Sequence, residues 1–189
     1  PFESGVLIDN QTGVIPTKGT LEMLIQHRFG QMNNGISDLW GIYAPGANIR
    51  IGFNYSILDN LAVGYGLTKK NMYSDFNVKW SILEQTRKNT IPVAVTVYAN
   101  MAIDGRNEDV FGEGYKFTNR MSYFSQLIVG RKFADWLSMN VTGSFTHYNK
   151  VPQGYDHDVI GLGFNGQIKF SPQSSIQFQY DSPLKIQSI

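Results

Sequence analysis

The residues whose types suit chemistry fall in three places. Asp156, His157 and Asp158 follow Tyr155 in one run, and imidazole with carboxylate suits zinc or iron. Neighbouring side chains on an extended strand point to opposite faces, so these candidate metal ligands do not by themselves close a site, and hydrogen bonding at a loop tip or strand entry is the favoured reading. The run from Asp104 through Arg106 and Glu108 to Asp109 has the composition of a calcium loop. Its spacing fails the EF-hand template, with no Glu at the required place, so a solvated loop is expected. Ser144 and His147 have the types of a nucleophile and its base, yet their odd separation on one strand sends them to opposite sides of the wall. The 189-residue chain has no cysteine, which removes disulfides, thiolate metal sites and cysteine nucleophiles together. No catalytic constellation results, and the chain is expected to be no enzyme and to carry no cofactor.

A second group of charges shares one face of the elements that hold them: Glu22, Arg28, Arg50, Asp75, Lys79, Arg120, Lys132 and Lys169. Arg28 and Arg50 have the charge to guide anions. Buried charges are as a rule paired, so cross-linking to Glu22 or Asp75, which stiffens the wall, is favoured over that role. The elements beneath them are read from a period-two alternation of apolar and polar residues, in stretches closed by Gly, Asn, Asp, Pro or Ser. Nine strands follow, over residues 20–29, 48–57, 61–68, 75–83, 92–103, 120–133, 137–148, 158–170 and 175–182. One face carries Leu21, Met23, Ile51, Phe53, Val63, Phe76, Val95, Val129, Val141, Phe164 and Phe178; the other carries Asn54, Ser56, Asn77, Thr96, Asn100, Gln126, Asn140, Thr142, Asn165 and Gln177.

The polar face decides which way the wall looks. Charged residues make up only 16% of the chain, against roughly 25% in a soluble domain, and a soluble barrel solvates its outside with many Lys and Glu. Small neutral hydrogen-bonding residues suit a confined wet lumen instead, with the oily face toward lipid. No apolar run is long enough for a helical span. A net charge of +1 offers no clustered basic surface, so nucleic acid is excluded as a partner. Gly64, Gly66, Gly161 and Gly163 alternate on the luminal side; no helix follows them, so they form no phosphate loop and instead make room for a plug, a neighbouring side chain or water.

The connections alternate between long ones and turns that are mostly tight, as extracellular loops and periplasmic turns do. In that orientation Phe133, Trp136 and Phe170 mark the turn side, and Trp40, Tyr43, Tyr73, Tyr123 and Tyr148 the loop side. Residues 1–19, interrupted by Gly13, Pro16 and Gly19, are expected to form an irregular leader, periplasmic or luminal. Residues 20–189 form the expected domain: an all-β, antiparallel, up-and-down transmembrane β-barrel. Because single-chain bacterial barrels use even strand numbers, nine strands are expected to belong to a barrel of ten to twelve with its C-terminal strands missing.

The runs Gln26 to Gly30, Ala47 to Tyr55, Leu61 to Gly66 and Asp156 to Ile160 resemble an uncharacterised membrane-bound β-barrel family of the Bacteroidetes, along a stretch from Phe2 to about Leu184. The resemblance implies an outer-membrane barrel of about twelve strands and brings no activity and no functional residues. The expected role is structural or accessory, among outer-membrane lipids, lipopolysaccharide and other envelope proteins. The alternatives are a narrow channel for small polar solutes and, behind it, a lipid-modifying enzyme.

Overall fold

The computed structural model describes residues 2, 4–42 and 46–184. The leader opens with a two-residue hairpin, β1 (Val6–Leu7) paired with β2 (Asn10–Gln11), where an irregular segment is expected. Then come β3 (Leu21–Arg28), β4 (Asn48–Leu58), β5 (Leu61–Thr68), β6 (Tyr73–Leu83), β7 (Ala94–Ile103), β8 (Met121–Ala134), β9 (Leu137–Tyr148), β10 (Asp158–Ser171) and β11 (Ser174–Leu184). These nine form one antiparallel sheet in chain order from β3 to β11, each within about two residues of the strand expected from alternation. Loop-side connections are punctuated by 3-10 turns at Gly35–Asp38, Lys70–Met72, Glu108–Phe111 and Phe117–Arg120. Among the described residues no helix is long and apolar enough to cross a membrane, which leaves any crossing to strands.

The sheet is inside out by the standard of a soluble fold. Thr96 and Asn165 are fully buried while Phe164, on the opposite face of the same strand as Asn165, is 43% exposed. Leu21, Met23, Phe53, Phe76, Val141 and Ile176 are exposed, whereas Ser56, Asp75, Gln126, Asn140 and Thr142 are buried. Hydrocarbon outside and water inside is the pair of solvents that makes this arrangement stable.

Curvature follows from the leader. Laid flat, nine strands at a spacing of about 4.8 Å would separate β3 from β11 by roughly 38 Å. Asp9 nevertheless bridges them: its carboxylate accepts from Arg28 of β3 at 2.6 Å, and its backbone N–H donates to Gln179 of β11 at 2.9 Å. The sheet therefore curls until its two edges lie within the combined reach of an arginine and a glutamine. β3 and β11 run in the same direction and do not pair with each other among the described residues.

Four register shifts assist that curl. Each lies at the turn-side end of a strand, leaving Ile57, Ile82, Phe133 and Phe170 as the extra residues opposite β5, β7, β9 and β11. An extra residue bends its strand and increases local twist. All four side chains are large, apolar and exposed, so together with Trp136 they ring the turn-side margin of the oily band, where a membrane barrel places its girdle. Trp40, Tyr123 and Tyr148 are exposed at the loop side. Tyr43 lies outside the described residues, as do residues 185–189 of the expected barrel domain.

Candidate functional site

The polar interior is built by alternation: every second residue of β3 to β11 turns inward, and the leader lies among them. Lys79 of β6, only 7% exposed, donates from Nζ to the carbonyl oxygens of Gly5 at 2.8 Å and Val14 at 3.3 Å. Lys79 lies on the polar face, as expected, and there it anchors the leader. A carbonyl oxygen has two lone pairs to offer, and the Gly5 oxygen takes the ammonium as well as its partner N–H inside the leader. Asn10 links two further strands, donating to Asp181 of β11 at 3.0 Å and accepting from Gln126 of β8 at 3.0 Å. Thr12 is fully buried, and its N–H donates to the Gly5 carbonyl at 2.9 Å. A residual cavity of about 30 Å³ lies between Val14, Ile15 and Pro16 of the leader and Glu22, Asn54 and Tyr98 of the wall. That is room for a water or two.

Beside the leader sits the ion pair expected for Arg50. Its Nε and Nη2 hold both oxygens of Asp75 at 2.9 and 2.6 Å, the bidentate geometry that makes arginine–carboxylate bonds strong. Nη1 reaches Gln26 Oε1 at 3.3 Å, and the Asn100 amide donates to Asp75 at 2.9 Å. Gly66 makes this possible, since a Cβ there would run into both the guanidinium and the carboxylate. Gly64 likewise clears space for Asn54 and Asn77, and Gly163 for Asp181 and Thr142. Gly161 does so for Ser144, so of the three uses expected for luminal glycines, room for neighbouring side chains is the one these four serve.

The other charges take different places. Arg28 pairs with Asp9 of the leader, not with Glu22 or Asp75, at a half-exposed position; Glu22 accepts from Asn54 at 3.3 Å. Lys132 reaches Asp135 at 2.6 Å on the turn-side rim, and Lys169 lines the same rim beside Trp136 and Gln167. Arg120 does not line the lumen but ends the last 3-10 turn of the 104–120 loop. It donates to the carbonyls of Asp104 and Arg106 and to the Tyr115 hydroxyl, and its guanidinium stacks over Phe111 and Tyr115 at 5.0 and 5.1 Å. In that loop burial pushes the Asp104 carboxyl up, but the side-chain and backbone hydrogen bonds and the charge of Arg106, with the charge of Arg120, outweigh it and hold the carboxyl below its ordinary range.

Asp156, His157 and Asp158 are not brought together. Asp158 contacts the His147 ring at 2.6 Å on the outward face, and His157 donates from Nδ1 to the Tyr148 carbonyl at 2.6 Å. Asp156 turns toward the loop-side mouth. Among the described residues no group of three or more His, Cys, Asp or Glu is placed to hold a metal ion. Ser144 packs beneath Gly161 on the luminal side, across the wall from His147.

The luminal partners in the leader, Gly5, Asp9, Asn10 and Val14, were not among the residues singled out from sequence. Two are carbonyls, which no side-chain pattern marks, and Asp9-Asn10 reads as an ordinary turn pair. Residues 2–188 match a family described as a membrane-bound β-barrel domain, and the chain belongs to that family. No curated protein and no solved structure matches it.

Proposed function

From that membership we propose that the chain is an outer-membrane barrel with a closed lumen, acting without enzymatic chemistry as a structural or accessory component of the envelope. The observation that carries this reading is the leader seated among the luminal side chains, held by Lys79 of β6 and Gln126 of β8 on one side and by Gln179 and Asp181 of β11 on the other. A leader tied to opposite walls stands in the path a solute would take. Nine to twelve strands also enclose a space that side chains largely fill. In this reading the partners are the surrounding lipids, lipopolysaccharide among them, and envelope proteins engaged through the loop-side connections.

Planar-bilayer recording tests it. The purified full chain is expected to give no stable unitary current, and purification from native envelopes in mild detergent is expected to carry fixed protein partners along. Reproducible unitary currents from the unaltered chain would replace this reading with that of a narrow polar channel. Hydrolysis of lipid esters that disappears in Ser144→Ala would overturn its non-enzymatic part.

A further inference from the structure

Above the leader, on the loop side, the 104–122 and 149–159 segments line a half-open cavity of about 770 Å³. This lies within the range of small-molecule sites, roughly 300–1,000 Å³. Its walls carry Tyr73, Tyr148 and Tyr155 together with Lys150 and Asp156; among the described residues the three phenol hydroxyls make no hydrogen bond and Lys150 and Asp156 make no ion pair. The remaining charges are already engaged: Arg106 grips Asp104 at 2.6 Å, and Arg120 is spent on loop carbonyls and aromatic rings. Those internal bonds make the 104–120 side of the cavity a preformed wall.

From this arrangement we infer that the loop-side cavity binds an acidic oligosaccharide, with the tyrosines as its platform and Lys150 as its charge contact. Aromatic rings with free hydroxyls offer what a sugar presents, apolar C–H faces edged by hydroxyl groups, and tyrosine combines both in one side chain. A purely apolar ligand would strand the phenols and Lys150 without partners on desolvation. The sign of the ligand follows from the lining, where three cations (Arg106, Arg120 and Lys150) face two carboxylates (Asp104 and Asp156). The site excludes none of the barrel's proposed structural role and does not depend on it. A saccharide carried on a lipid and a free one share this chemistry.

The test uses the detergent-solubilised full chain and calorimetric titration with trigalacturonate, its uncharged methyl ester, purified lipopolysaccharide and hexaglutamate. Trigalacturonate is expected to saturate one site, with the ester at least tenfold weaker. Tyr155→Ala weakens both by about tenfold, and Lys150→Ala weakens only the charged saccharide, because each removes one kind of contact. Phe133→Ala, on the opposite rim, leaves both unchanged and reports on folding. Displacement of trigalacturonate by lipopolysaccharide supports a lipid-borne ligand, and failure to displace supports a free one. Absence of saturable trigalacturonate binding, or equal binding of hexaglutamate, overturns the inference.

Discussion

Replacing Lys79 with methionine isolates the bond that seats the leader. The substitution keeps most of the side-chain volume and removes the ammonium from two buried carbonyl oxygens, those of Gly5 and Val14. A hydrogen bond to a charged group is worth about 1.5–3 kcal/mol, so losing the two together costs about 4. Relief from burying a charge returns roughly 2 kcal/mol of that. Seating of the leader is therefore weakened by about 2 kcal/mol, while the sheet's ladder, which Lys79 holds only through its backbone, is unaffected. The Thr12 amide reports on seating, because it is fully buried and bonded to Gly5 only when the hairpin is in place. At 1.4 kcal/mol per decade, its native-state hydrogen exchange is expected to accelerate about 30-fold, with amides of β4 and β9 exchanging as before. Exchange at Thr12 within threefold of the unaltered chain would refute the claim that Lys79 anchors the leader.

Arg50→Ala leaves the Asp75 carboxylate buried with only the Asn100 amide to serve it, and denaturant unfolding from micelles should show a loss of about 3 kcal/mol, at the low end for a broken buried pair. Val141→Arg, at a 61% exposed site in the middle of β9, should cost about 3 kcal/mol when folding into bilayers is measured. Phe133→Arg at the rim should cost at most about 1, and equal costs would deny that the exposed face meets hydrocarbon. Because the Asp104 carboxyl is held below its ordinary value of 3.8, its contribution to loop stability is whole above that pH and is lost as pH falls through the lower folded value. Proteolysis of the 104–120 loop by an acid-tolerant protease should therefore rise steeply below about pH 4, and Asp104→Asn should abolish that rise.

Strand positions were legible because alternation is a local property. Leu61–Thr68 and Leu137–Tyr148 fall where the apolar period begins and ends, and a one-residue slip in either would carry its whole oily face into the lumen. The pairing of Arg50 with Asp75 followed from both residues sharing a face, with burial demanding a partner. The partners of Arg28, Lys79 and Arg120 were not legible in the same way, for one reason. Their partners lie in segments without a period: Asp9, two leader carbonyls and two loop carbonyls.

What the amino-acid sequence alone determined is the wall: nine strands, two unlike faces, and a composition too poor in charge for water on the outside. The tertiary structure decided what fills the wall and how far it closes. Alternation repeats every two residues and says nothing about contacts across more than a hundred positions, such as Asn10 with Gln126 or Asp9 with Gln179. Those contacts exist only once the sheet has curled, and it is the curl that brings the leader among the luminal side chains.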